Sequence, residues 1–151
     1  TLRDVHFFEI GTHGQAHAHL LKLDADRQRA EIAAPVTLLQ TKYGHRASLF
    51  RPPYGEYDDT TVEIVRMLGL RFILWDVLSG DPDPRLSRTR MVETLKATVR
   101  NGSVIVFHAN GKGHHTREVV EDLYQDLVLE QGLQPVTVTK LLDQCTHGPT
   151  H

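Results

Sequence analysis

A single cysteine, Cys145, stands in the 151 residues. That excludes an intramolecular disulfide and a cysteine-built metal cluster, so any metal would rest on His, Asp or Glu. Positive charge is not in excess either. With 17 Lys+Arg against 19 Asp+Glu the net charge is -2, which offers no basic patch to nucleic acid or to an anionic membrane. No stretch approaches the ~20 apolar residues that cross a bilayer. The opening Thr1-Leu2-Arg3-Asp4 lacks the charged-then-apolar start of a signal peptide. The expectation is a chain without membrane span, export signal or nucleic-acid partner. What remains, 40% apolar and 24% charged residues, is the profile of one globular domain. Histidine is the residue in surplus, with ten copies.

Short apolar runs alternate with helix-length segments, which predicts an α/β layer architecture with parallel pairing. Strands are expected at Phe7 to Ile10, Ser48 to Phe50, Phe72 to Trp75, Val104 to Phe107 and Val136 to Val138. Helices are expected over Asp24 to Tyr43, with a kink or a new start at Pro35, from Asp58 or Asp59 to Leu68, from Ser87 to Val99, and over Thr116 to Glu130. In the last of these Val119, Val120, Leu123, Leu127 and Val128 make one apolar face. Met67 and Met91 read as core. His147 and His151 read as part of a flexible tail over 146–151, after a domain over 1–145. In such a fold, functional residues gather at the C-terminal ends of the strands.

Three places after expected strands carry unusual chemistry. Histidines four apart, His13 and His17, can meet at one point if their loop turns helically, and neutral imidazole suits zinc. The alternative is a pair of surface or cap histidines. The turn Arg51-Pro52-Pro53-Tyr54-Gly55 stiffens the backbone, and Arg51 on it could hold a carboxylate or merely sit exposed. His108 ends an apolar strand, placed for acid/base work, with Asp81 able to keep it protonated; a structural histidine bonded to local carbonyls is the alternative. His45, His114 and His115 read as solvated, and His19 as a variable position.

Taken in order, these segments resemble the polysaccharide deacetylase family, also called the NodB-homology domain or carbohydrate esterase family 4. Glu9-Ile10-Gly11-Thr12-His13 through His17 is similar to the family's metal-binding histidine motif. Arg51 to Gly55 matches its Arg-Pro-Pro-Tyr-Gly turn residue for residue. Trp75 to Asp81 resembles its Trp-Asp segment, and Val106-Phe107-His108 resembles its last histidine strand. The resemblance implies a distorted (β/α) barrel, incomplete at the N-terminus in this chain. It implies a metal-dependent hydrolase that removes N-acetyl groups from an N-acetylglucosamine polymer or oligomer, of the chitin or peptidoglycan type, outside the cytoplasm.

By the same resemblance His13 and His17 are ligands of Zn2+ or another divalent metal, and Arg51 orients the catalytic base. The Tyr54 amide meets the oxyanion, His108 protonates the leaving amine, Asp81 supports His108, and Trp75 and Leu141 wall the acetyl methyl. Four positions depart from the family pattern: Ala16 for Ser, Leu78 for Asp, Pro82 for Trp and Ala109 for Asp. The family's Thr-Phe-Asp-Asp-Gly segment, with the base and the third metal ligand, has no counterpart; Asp76 and Asp4 are the carboxylates weighed in its stead. The expectation is that a preceding piece, or a second chain, supplies it. A carbohydrate-binding pseudoenzyme and a same-fold hydrolase of non-sugar amides are the rival readings. Oligomeric state is not legible.

Overall fold

The structure is a computed structural model, and it describes residues 8–109 and 111–146. These residues form two compact units that divide between Leu74 and Trp75. The strand expected at Phe7 to Ile10 does not form over its described residues, and Phe7 lies outside them; extended pairing begins only at Thr12, which bridges Phe50 in parallel.

In the first unit, β1 (Leu49–Phe50) and β2 (Arg71–Phe72) pair in parallel in the register Leu49↔Arg71 and Phe50↔Phe72. Between them runs α2 (Asp59–Met67). Its N-cap Asp58 accepts from the Thr61 amide, and the Thr61 side chain closes the reciprocal bond, a capping box. Thr61, Ile64 and Val65 face inward at the i, i+3, i+4 spacing of one helical stripe. Met67 falls off that stripe and is 58% exposed, against the core position expected for it.

Ahead of β1 lies α1 (Ala25–Tyr43), capped by Asp24 and ended by Gly44 in the left-handed region. It continues through Pro35 with no new helix beginning there. Leu20, Ile32, Ala47, Phe50, Ile64, Val65 and Leu70 form the core of this unit. The buried Gln28 links its helices through the Thr61 hydroxyl and Asp58. Phe50 is fully buried, so Phe50→Ala is expected to cost about 3–5 kcal/mol, read from chemical denaturation.

The second unit repeats the strand-helix-strand plan. β3 (Val77–Leu78) and β4 (Ile105–Val106) pair in parallel as Val77↔Ile105 and Leu78↔Val106, with α3 (Arg88–Thr98) between them. No strand was expected at β3; two residues are too short for alternation to show. α4 (Thr116–Leu123) passes into a π-helical segment, Tyr124–Glu130, where one regular helix was expected. Val119, Leu123 and Leu127 pack inward with Val77, Met91 and Leu95. Val120, expected beside them, is exposed, one residue around the helix from an i, i+4, i+8 stripe. The strand expected at Val136 to Val138 is absent, and α5 (Val138–Thr146) starts there instead. The expected tail residues 147–151 lie outside the described residues. Among the described residues no helix is long and apolar enough to cross a membrane.

Candidate active site

Each unit carries one group of candidate residues, and both groups lie just past strand ends, as the α/β reading expects. In the first unit the loop from Thr12 to His19 is stitched to the exit of β1. The Thr12 amide donates to the Leu49 carbonyl at 2.9 Å and the Arg51 amide to the Thr12 carbonyl at 3.0 Å. That pairing brings His13 against Arg51, and its Nδ1 lies 2.6 Å from the Arg51 carbonyl oxygen. A carbonyl only accepts, so Nδ1 carries a proton, and in the neutral ring the lone pair lies on Nε2. This is the orientation that carbonyl-bonded, metal-ligating histidines take.

His17 stands beside it, the ring centroids 4.8 Å apart and nearly perpendicular. Its backbone is in the left-handed region, φ 54°. The two rings therefore meet, but not by the helical turn that the spacing suggested, since residues 13–17 form loop and bend. Tyr54 is also left-handed, φ 59°, at the centre of the short turn Pro53–Gly55. Its ring edges toward His17 at 4.6 Å and stacks on His19 at 4.0 Å. His19 is not an idle position: its Nδ1 sits 3.0 Å from both Glu56 carboxylate oxygens. Burial lowers the pKa of the Arg51 guanidinium, which stays charged at neutral pH. Sequence reasoning gave Arg51 a side-chain role and missed that its main-chain carbonyl aims His13.

The donor set fits a metal in part. A catalytic zinc keeps three protein ligands and an open position, and His13 with His17 supplies two imidazoles. Among the described residues no group of three His, Cys, Asp or Glu could hold a metal ion. Asp76 is committed elsewhere: its oxygens accept from the Val104 amide at 2.6 Å and the Ser103 hydroxyl at 3.0 Å, and the Val104 amide holds its pKa below the usual range. Asp4 lies outside the described residues.

In the second unit Asp81, with no exposed surface, is a hub. One carboxylate oxygen accepts from the Ser79 hydroxyl at 2.7 Å and from His108 Nδ1 at 2.9 Å. The other accepts from the His108 amide at 2.7 Å and the Thr116 hydroxyl at 2.8 Å. All the lone-pair directions a carboxylate offers are in use, and the bond to Nδ1 leaves His108 Nε2 as the nitrogen available to a substrate. His108, Ser79, Pro82 and Arg85 line one open cleft of about 580 Å³. Leu141 lines another, of about 750 Å³, with Ile105, Phe107, Leu133 and Val138. Trp75, half-buried, lines neither of these two clefts.

Burial works to raise the Asp81 pKa, but the hydrogen bonds from His108, Ser79 and Thr116 prevail and hold it below the usual carboxylate value. A folded pKa lower than the unfolded one makes ionised Asp81 stabilising above the ordinary carboxylate range. That contribution is lost as pH falls through the lowered value. Acid unfolding followed by circular dichroism should thus be steeper for the parent than for Asp81→Asn; equal slopes would show that Asp81 is not ionised in the fold.

Thr116 was missed because a hydroxyl so far along the chain from Asp81 leaves no spacing signal; Ser79 bonds Asp81 from the same loop, but a lone loop serine carries no mark of its own. His45, read as solvated, is half-buried and bonds the Ile10 carbonyl through Nε2 at 3.0 Å. The His114 amide donates to the Asp81 carbonyl at 2.7 Å.

Residues 3–73, which hold the His13–His17 segment and the Arg51–Gly55 turn, match the family model for polysaccharide deacetylase, in line with the resemblance read from the motifs. It is 27% identical over 119 residues to a bifunctional xylanase/xylan deacetylase of Cellvibrio japonicus, covering 79% of this chain and 18% of that protein. It is 27% identical over 133 residues to the peptidoglycan-N-acetylmuramic acid deacetylase PdaC of Bacillus subtilis, covering 88% of this chain and 27% of PdaC. The solved structure of PdaC superposes with a TM-score of 0.79 at 25% identity over 92% of this chain and 65% of that one. A carbohydrate esterase family 4 pseudoenzyme from Bacillus anthracis shares the fold with a TM-score of 0.80 at 23% identity, over 89% of this chain and 46% of that one. The fold is accordingly the α/β fold of the polysaccharide deacetylases. The chain spans 18% to 32% of the length of three curated relatives it matches.

Proposed function

We propose that this chain carries active-site parts of a metal-dependent carbohydrate deacetylase, which hydrolyses the N-acetyl groups of an N-acetylglucosamine-containing glycan of the chitin or peptidoglycan type. The observation that carries the reading is the meeting of His13 and His17, with His13 aimed by the Arg51 carbonyl of the Arg-Pro-Pro-Tyr-Gly turn. His13 Nε2 and His17 would hold a divalent cation, zinc in the first instance, together with a ligand from outside the described residues. When bound, such a cation would supply Lewis-acid chemistry toward the acetyl group and water.

The chain's own residues do the rest. Arg51 holds the carboxylate that takes the proton of the attacking water. The Tyr54 amide donates to the oxyanion, a contact commonly worth about 3 kcal/mol. Water oxygen bonds to the acetyl carbon and the C–N bond breaks, while protonated His108 gives its Nε2 proton to the departing sugar nitrogen. Asp81 balances the charge of that imidazolium. Acetate and a free amine leave. Trp75 and Leu141 are assigned to the apolar surroundings of the acetyl methyl. Glycans of this kind are wall and extracellular polymers, which places the activity outside the cytoplasm.

Acetate release tests this. With zinc present, and with a source of the base and third-ligand carboxylates that the described residues do not supply, the chain should release acetate from N-acetylglucosamine oligomers in preference to acetylated xylan and small acetamides. Release from the small amides alone would favour a same-fold amidase. Oligomer binding without release would favour a carbohydrate-binding pseudoenzyme, a reading supported by the presence of only two candidate ligands among the described residues.

A further inference from the structure

His17 adopts a positive φ of 54°, a conformation that non-glycine residues take only when their surroundings hold them there. The hold comes from one residue of α1. Pro35 has no N–H, so the carbonyl four residues earlier, that of Glu31, lacks its helical donor. It accepts from the Gln15 amide instead, at 3.0 Å. The Glu31 carboxylate then takes the two amides on either side of His17: Oε1 lies 2.6 Å from the Ala16 nitrogen and 3.3 Å from the Ala18 nitrogen. Backbone amides converging on one anion across a left-handed residue make a concave nest. Here the anion is a side chain of the same protein. The fit leaves no room for a β-carbon at residue 14: one built on Gly14 would stand 2.9 Å from the same oxygen.

We propose that Glu31 is a positioning residue for the metal site: its carbonyl and carboxylate together fix the His17 backbone so that the imidazole meets His13. This rests on the deacetylase reading for the identity of the ligand, and on the coordinates alone for the grip on the loop. Ala16 has no side-chain hydroxyl of its own to brace the loop, and its amide is held by Glu31.

The test uses the full chain and zinc itself, with affinity measured by competition against a chromogenic chelator. Parent and His17→Ala establish whether the pair binds. Glu31→Ala should weaken zinc binding about 10-fold or more, the usual range for residues that orient a ligand. Glu31→Gln, which keeps an acceptor oxygen at the same reach, should stay near the parent. Ile64→Ala, a core change with a larger loss of stability, should leave zinc affinity unchanged, which separates positioning from general weakening.

The second readout is the intraresidue amide-to-α-proton NOE of His17 in the metal-free chain, strong at a positive φ because the two protons are close, which should weaken in Glu31→Ala and stay strong in Glu31→Gln. Should Glu31→Ala fail to fold, Glu31→Asp withdraws the oxygen by one methylene and carries the same expectation. Parent-like zinc affinity together with a retained positive φ in Glu31→Ala or Glu31→Asp would overturn the proposal. If the parent binds zinc no better than His17→Ala, the metal reading fails, while the NOE still decides the role of Glu31.

Discussion

Gly113→Ala is expected to disable the second unit outright, with a stability loss of at least about 3 kcal/mol. A β-carbon at this position would overlap both the His108 carbonyl oxygen and the Thr116 hydroxyl, and lie 2.7 Å from Asp81 Oδ2. None of those atoms can give way cheaply. The carbonyl belongs to the backbone of the histidine itself, and the hydroxyl and carboxylate oxygens are bonded to each other at 2.8 Å. Relief requires moving the loop away from the buried Asp81 and unmaking its hydrogen bonds. Donors left without partners there cost about 1–3 kcal/mol each. Thermal unfolding checks the first part. A parent-like melting temperature would mean that the loop around Gly113 is not packed on the Asp81 hub.

His108→Asn should lower the rate of acetate release by about 10²–10⁴-fold, the range a positioned general acid supplies, while zinc content stays unchanged because the residue is no ligand. Asp81→Asn should also lose activity, and with it stability. An amide in place of the carboxylate turns one acceptor toward the His108 amide and the Thr116 hydroxyl into a donor facing donors. The loss of stability distinguishes Asp81 from His108, whose ring is partly exposed. Steady-state kinetics with metal analysis read the outcome. Unchanged turnover in His108→Asn would remove it from the reaction.

The parts legible in the sequence are those whose signal is local. The capped start of α2 at Asp58, the Arg51 to Gly55 turn and the four-residue spacing of His13 and His17 each lie within a few residues, and each is present. The parts not legible depend on distant partners. Thr116 joins Asp81 only because α4 and the β3 exit meet there. Pro35 reads as a break, yet the carbonyl it deprives of a donor is satisfied by the Gln15 amide from another segment, and the helix continues. Strands of two residues are too short for periodicity. That explains the unexpected β3, the trimmed ends of β1 and β4, and the placement of β2 at Arg71–Phe72 rather than Phe72 to Trp75, and Val136 to Val138, apolar by pattern, contributes to the start of α5 instead.

The pairing of His13 and His17 on one cation is tested most directly by X-ray absorption at the zinc edge of the zinc-loaded chain. Two imidazole nitrogens at about 2.0–2.1 Å are expected, falling to one in either His13→Ala or His17→Ala. A zinc environment of oxygen ligands alone, unchanged by both substitutions, would contradict it.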